Sequence, residues 1–178
     1  MPICSALTGA IAKSCDTNTG GIKKMYIADF GNVTAITTSG TPAKISAITM
    51  AAATKFYEFA FNRNTSSFEE VVNVNLENGS TFFGQTVSLE LARRETAKRD
   101  AIEKLVAGQK QLMVIVLDSN GIYWLFGKAE GAYATEITGG SGVAKADKNG
   151  YSIKLTAEEP AQAFEVDSTI ISAIITAA

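Results

Sequence analysis

The sequence predicts a mainly β protein: an antiparallel β-sandwich or partly closed barrel with one inserted α-helix near 95–107 and extended arms or loops. Three observations carry that expectation. Residues 68–77 and 80–91 alternate apolar and polar side chains with a period of two, the pattern of strands with one dry face. The turn-forming pairs Gly31-Asn32, Asn78-Gly79 and Asn149-Gly150 punctuate the chain. One stretch, 95–107, instead spaces its apolar residues as a helix does.

Residues 1–20 are rich in Ser, Thr, Gly and Asn, lack periodicity, and read as an N-terminal arm. Strands at 22–30 and 33–37 flank the Gly31-Asn32 turn. Ser39-Gly40-Thr41-Pro42 is loop chemistry, because proline has no backbone donor and glycine allows positive φ. A short strand at 45–50 follows. Residues 55–62 then set Tyr57, Phe59 and Phe61 against Phe56, Glu58 and Ala60.

In 68–77 one face is Phe68, Glu70, Val72, Val74 and Leu76, and the other is Glu69, Val71, Asn73, Asn75 and Glu77. In 80–91 Phe83, Gln85, Val87, Leu89 and Leu91 oppose Phe82, Gly84, Thr86, Ser88 and Glu90. Asn78-Gly79 suits a type I′ turn, since both residues tolerate positive φ. The two runs therefore read as a long hairpin with one greasy face and one polar, mildly acidic face.

The helix places Ala97, Ala101, Ile102, Leu105 and Val106 on one side. Gly108 suits the left-handed residue that ends a helix. Glu95 near its start and Lys104 near its end suit the helix dipole. Residues 112–117 form a continuous apolar run, short enough for a strand buried on both faces. Asp118-Ser119-Asn120-Gly121 turns that run into a strand at 122–127. A strand near 132–138 precedes Gly139-Gly140-Ser141-Gly142, which reads as a flexible loop, and Asn149-Gly150 leads into a strand at 151–157. The segment 165–178 reads as a C-terminal strand or arm. With no repeat and no compositional break, a single β-rich domain, 21–164, lies between the two terminal segments.

Composition narrows the chemistry. A chain of 178 residues is long enough for a full core. Its charged share is 19%, against a usual value of about 25%. Mean hydropathy is +0.10, which suits a chain that hides additional surface in an assembly. A net charge of −2 gives no footprint of a strongly basic nucleic-acid binder. The sequence contains no histidine, which removes Ser-His-Asp and Cys-His pairs, histidine zinc sites and histidine bases together. Cys4 and Cys15 are too few for a Cys-only zinc site, and read more simply as ordinary thiols than as a disulfide closing a small loop. Residues 1–13 lack the basic start of a signal peptide, and no run approaches the roughly 20 apolar residues that span a bilayer. No membrane partner is expected.

The remaining constellations have plain readings. Glu69-Glu70 and Glu158-Glu159 are adjacent carboxylates, but strand neighbours point to opposite faces, so both pairs read as solvated surface charge. Asp118, Asn120 and Gly121 resemble a calcium loop without its downstream glutamate, and read as a turn. Arg93, Arg94, Lys98 and Arg99 form a basic cluster. It suits a neighbouring subunit's acidic face as well as a solvated helix face balanced by Glu90, Glu95, Asp100 and Glu103, and lacks the aromatic interleaving of a nucleic-acid site. The aromatic groups Phe56, Tyr57, Phe59 and Phe61, and Tyr123, Trp124 and Phe126, are assigned to the core. No catalytic residue, metal site or cofactor is expected, and the chain does not read as an enzyme.

In arrangement and texture, residues 21–156 resemble the tail tube proteins of bacteriophages. The resemblance is carried by Gly-Gly-Ile-Lys-Lys-Met-Tyr-Ile-Ala-Asp-Phe at 20–30 and by the long hairpin running into the helix. The buried run with Asp-Ser-Asn-Gly-Ile-Tyr-Trp-Leu-Phe-Gly after it, and Asn-Gly-Tyr-Ser-Ile-Lys-Leu-Thr at 149–156, complete it. The resemblance implies a virion structural protein, assembled in the host cytoplasm into hexameric rings that stack as a tube. Its partners are then other copies of itself and other tail proteins, with DNA as transient, non-specific cargo and no cofactor. A β-barrel lines such a tube, with the helix outside it.

On that reading Glu69, Asn73, Asn75, Glu77, Thr86, Ser88 and Glu90 line the lumen, a polar wall without lysine or arginine that does not grip DNA phosphates. Val72, Val74, Leu76, Val87, Leu89 and Leu91 pack beneath it on the rest of the fold. Arg93, Arg94, Lys98 and Arg99 meet a neighbouring subunit. The arm 1–20, the loop 38–49 and the tail 165–178 order against adjacent rings. The alternatives are another β-rich virion component (a head-tail connector, tail terminator or capsid decoration protein) or a secreted β-sandwich binding module.

Overall fold

The computed structural model describes residues 10–176. Strand β1 (Ile22–Asp29) enters a 3-10 turn, Phe30–Asn32, that redirects the chain into β2 (Val33–Ser39), the partner of β3 (Lys44–Met50). Short β4 (Phe56–Glu58) returns to β1. The long hairpin is β5 (Ser67–Asn75) and β6 (Ser80–Ala92). Helix α1 (Thr96–Val106) leads to β7 (Leu112–Asp118), whose hairpin partner is β8 (Tyr123–Phe126). Strands β9 (Tyr133–Gly140) and β10 (Gly150–Glu159) form a third hairpin. The chain ends in β11 (Phe164–Val166), α2 (Ser168–Ile174) and β12 (Ile175–Thr176).

These strands form two sheets. One has eight strands in the order β12-β4-β1-β7-β8-β11-β3-β2, and the other four in the order β5-β6-β10-β9. The expected mainly β fold with one helix inserted between strands is the fold observed. The sequence did not separate out α2, a helix of seven residues capped by the Asp167 side chain, which accepts from the Thr169 N–H at 2.9 Å.

Strand β7 runs through the centre of the eight-stranded sheet and is buried on both sides, as its unbroken apolar run requires. Leu112, Val114 and Val116 face a first core, where they meet Met25 and Ile27 of β1, Leu89 of β6 and Ile153 of β10. This is the sandwich core between the sheets, and Ile102 and Leu105 of α1 pack into it. Met113 and Ile115 face a second core with Tyr26, Phe56, Ile45 and Ile174. Phe56 and Ile45 lie towards opposite ends of the strand order, so the sheet curls until its two wings enclose that core.

Several expectations change in this frame. Residues 165–176, expected as strand or arm, are packed: Val166, Ile171 and Ile174 are buried in the second core. Gly139 and Gly140 belong to β9 rather than to a flexible loop, paired with Tyr151 and Gly150. The glycine at 139 serves packing instead of flexibility, because a Cβ there would lie 2.9 Å from the Tyr151 ring. The loop to β10 is instead 141–149, tied by the Asp147 carboxylate, which accepts from the Val143 and Ala144 N–H groups. The β5–β6 turn is not a two-residue type I′ turn. Asn75 pairs with Ser80, leaving four residues between the strands. Gly79 takes the positive φ (72°), and the Asn75 side chain accepts from the Glu77 N–H at 2.9 Å. Of the aromatic residues assigned to the core, Phe56 and Phe126 are fully buried and Phe59, Phe61, Tyr123 and Trp124 pack at core margins, but Tyr57 is exposed.

The largest departure concerns the carboxylates. Glu70 and Glu159 do not lie on the solvated face. Glu159 is buried and accepts from the backbone N–H groups of Ala129 and Glu130, each at 2.9 Å. Glu70 Oε1 accepts from the Ala163 N–H at 2.7 Å and from Gln85 Nε2 at 3.1 Å, while buried Gln85 accepts from the Gly127 N–H at 3.1 Å. A residue-by-residue alternation places both glutamates inward, and loop backbone donors satisfy them. By contrast, Asp118 fits its expected role as a turn residue. It accepts from the Ile122 N–H at 2.8 Å and from Trp124 Nε1 at 3.1 Å.

Replacing Glu159 with Ala strips two loop N–H groups of their acceptor. The expected loss is about 2 kcal/mol of unfolding free energy, read as a lower urea midpoint with an unchanged slope.

Candidate functional site

The four-stranded sheet is two-sided along its whole length, because cross-strand partners share a face. The register pairs Glu69 with Thr86, Asn73 with Phe82 and Asn75 with Ser80 across β5 and β6. It continues into β10 by pairing Glu90 with Ser152 and Ser88 with Lys154. It reaches β9 by pairing Lys154 with Glu136 and Ser152 with Thr138. Glu69, Asn73, Asn75, Thr86, Ser88 and Glu90 thus share the face turned away from the first core. Glu77 lies beyond the strand, in the turn.

That face is not free of cations. Lys154 occupies its middle, in register with Glu136, and Lys148 pairs with Glu90 at 2.6 Å. The expectation of a wall without lysine came from the hairpin alone and fails once β10 is added. Glu69, Glu90, Glu136 and Glu158 still outnumber those two lysines.

The opposite face divides into two halves. Val87, Leu89 and Leu91 are buried in the first core, with Leu89 at 0% exposure. Val72, Val74 and Leu76 are not packed beneath the sheet as expected: Val74 is 58% and Leu76 91% exposed. The cause is strand length. Strand β10 ends at Glu159, opposite Phe83 of β6, so the outer part of the hairpin extends past its neighbour in the sheet, and among the described residues nothing buries this part. Val71 and Phe82, on the other face of this overhang, are exposed as well.

The basic cluster divides, and only Arg93 and Lys98 share a carboxylate. Glu95 accepts Arg93 at 3.2 Å and Lys98 at 3.5 Å, and Lys98 also donates to the Ala92 carbonyl at 2.5 Å. Arg94 stands over the Tyr151 ring at 5.5 Å, and Arg99 pairs with Glu103 at 3.5 Å. Of the expected balancing acids, Glu90 and Asp100 turn to Lys148 and Lys104 instead. The Asp100–Lys104 contact holds the aspartate below and the lysine above its ordinary range, chiefly through their mutual hydrogen bond.

Beside α1 lies a groove of about 780 Å³, floored by Ile27, Leu91 and Leu105 and flanked by Tyr57 and Phe59. Its rim charges are paired, Lys110 with Asp29 at 3.2 Å and Lys104 with Asp100 at 2.8 Å. Among the described residues no group of three His, Cys, Asp or Glu side chains is placed to hold a metal. No described helix is long and apolar enough to cross a membrane. Cys15 is exposed, and Cys4 lies outside the described residues, as does part of the arm 1–20. Within the arm, Asn18 and Thr19 hydrogen-bond the Asn120 side chain at 3.0 and 2.9 Å.

Comparison with protein-family models, with curated proteins and with solved structures returns no match for this chain.

The two halves of the hairpin's apolar face separate cleanly in a stability measurement. Leu89→Ala is expected to cost about 3 kcal/mol. Val74→Ala is expected to stay within about 0.5 kcal/mol on the isolated chain by urea unfolding.

Proposed function

We propose that this chain is a non-enzymatic structural subunit of a phage virion, a tail tube protein whose copies close into rings that stack around a DNA-conducting channel. One observation carries the reading: the four-stranded sheet is wet on one face and, short of the hairpin's outer end, packed on the other, and neither outer strand, β5 nor β9, is paired along its outer side among the described residues. Every pairing within it is antiparallel. With an even number of strands, β5 and β9 run in opposite senses. A β5 edge laid beside the β9 edge of the next copy therefore continues the same antiparallel ladder, and closure of the ring leaves no edge exposed.

Six copies contributing four strands each exceed the about 16–18 strands at which a barrel encloses an aqueous channel. The face that turns inward carries Glu69, Asn73, Asn75, Thr86, Ser88 and Glu90, with Glu77 at the rim. Its surplus of carboxylates repels phosphate, and its lone central lysine has Glu136 in register beside it, so DNA is cargo there rather than ligand. Assembly belongs to the host cytoplasm and the mature site to the virion tail, with other tail proteins at the tube's two ends. No cofactor enters this reading. The groove beside α1 favours a second reading, a β-sandwich binding module.

Electron microscopy of the purified chain decides between them. Stacked rings or tubes with a central bore are the expected outcome. Single rings that never stack favour a connector, terminator or decoration protein. A monomer that persists at high concentration overturns the tail tube reading.

A further inference from the structure

We propose that Asn78, at the tip of the β5–β6 hairpin, is a self-modifying site. Its side-chain amide is lost to attack by the Gly79 nitrogen, leaving aspartate or isoaspartate, while the fold keeps the two other Asn-Gly pairs of the chain intact.

Asn-Gly occurs at 78–79, 120–121 and 149–150. In such a pair the glycine nitrogen gives up its proton and bonds to the asparagine Cγ. The Cγ–Nδ2 bond breaks, and the amide leaves as ammonia with that proton. Water then opens the cyclic imide at either of its carbonyls, which yields aspartate or its β-linked isomer. Only water is consumed. Glycine favours the attack because it has no Cβ to block the approach and the widest backbone freedom. By residue type the three pairs are therefore equals, and the structure separates them.

Asn149 is held from another hairpin: its carbonyl accepts from the Arg93 N–H at 2.6 Å and its Oδ1 from the Arg94 N–H at 3.3 Å. Gly150 is buried and paired on both sides, with Ala92 and Gly140, so its nitrogen has no room to swing towards Cγ. Asn120 is tied to the start of the chain's first strand. Its Nδ2 donates to Asn18 at 3.0 Å, its Oδ1 accepts from the Thr19 N–H at 2.9 Å, and the neighbouring Ser119 N–H donates to the Gly21 carbonyl at 3.0 Å.

Asn78 has only local ties. The Gly79 N–H donates to the Asn75 carbonyl at 2.9 Å, Asn78 Oδ1 accepts from the Ser80 N–H at 3.0 Å, and Asn75 Oδ1 caps the Glu77 N–H at 2.9 Å. Among the described residues every hydrogen-bond partner of Asn78 and Gly79 lies within 75–80, and each residue from Val74 to Phe82 is exposed. Opening this turn frees the nitrogen and the amide together without disturbing either core, and local openings of this kind cost far less than unfolding. Conversion places a new carboxylate beside Glu77, and the isomer lengthens the turn's backbone by one carbon. On the tail tube reading the added charge enters at the rim of the channel, a consequence that rests on that reading, whereas the conversion itself does not.

The test ages the full chain in warm, mildly alkaline buffer, with and without guanidinium chloride, and maps amide-to-acid conversion peptide by peptide, with isoaspartate resolved by chromatography. In denaturant the three pairs are expected to convert at comparable rates. In native buffer Asn78 is expected to convert at least tenfold faster than Asn120 or Asn149. Asn75→Ala, which removes the cap of the turn, is expected to speed native conversion at Asn78 at least twofold. Native conversion at Asn78 no faster than at the other two pairs, or a rate unmoved by Asn75→Ala, overturns the proposal. Both measurements are made on the chain whether or not it forms rings, so a failure here leaves the tail tube reading standing.

Discussion

Strand β7 must be dry on both sides, and the architecture follows from that demand. A run of Leu, Met, Val, Ile, Val and Leu offers no polar face to water, so each side needs its own cover. The four-stranded sheet and α1 cover one side, and the curled wings of the eight-stranded sheet with α2 cover the other. Burying a side chain of this kind is worth about 1.5–3 kcal/mol, so several in one strand make it the most expensive element to expose. The α1 crossover between the β5–β6 hairpin and β7 is likewise a consequence, since it carries the chain from one sheet to the other and fills the opening it passes.

The second sheet meets only half of the requirement it imposes. Its polar face is free to face water, but its apolar face is covered by the first core only as far as Phe68 and Val87, and Val72 and Val74 beyond them are exposed. The three residues Ser80–Phe82 of β6 pair with β5 alone, and Val74, opposite Thr81, projects past the core. The interior end is secured differently. Gln85, Glu70 and Glu159 hold the loops at 127–130 and 161–163 through backbone N–H groups, pinning the sheet at the point where hydrophobic cover gives out. Carboxylates are costly to desolvate, and here buried Glu159 and half-buried Glu70 each accept from two donors.

Much of this was legible in residue order, for identifiable reasons. Period-two alternation assigned the hairpin residues within β5 and β6 to their faces, because that periodicity is geometric, while Leu76 and Glu77 fall in the turn and belong to neither. The continuous apolar run identified β7 as buried on both sides, and Gly108, with φ of 71°, ends α1 as its position suggested. Properties set by distant partners were not legible. Nothing near Val74 reveals that β10 stops short of it. Glu159 looks solvated until the 127–131 loop supplies its donors, and Gly139-Gly140 looks flexible until Tyr151 is seen to need the missing side chain. Lys154 escaped the reading of the polar face because it is contributed by a strand more than sixty residues away in the chain from its neighbour Ser88. The tail was obscure because Ile170, Ile171 and Ile174 make too short a pattern to declare a helix without the core that receives them.

How the chain treats its sheet edges separates an accidental exposure from a used one. An unpaired edge templates unwanted pairing, and proteins blunt such edges by shortness, bulges, lysine or proline. The eight-stranded sheet follows that practice: β12 has two residues, and the β2–β3 ladder carries two register shifts. Strand β5 does not. Its nine residues pair with β6 in unbroken register, contain neither lysine nor proline, and carry three valines with high exposure. Of the four sheet edges, β12 and β2 are blunted, the β9–β10 ladder carries a register shift, and β5 is left long, regular and apolar; on the tail tube reading proposed above, the antiparallel β9 of another copy would complete its ladder.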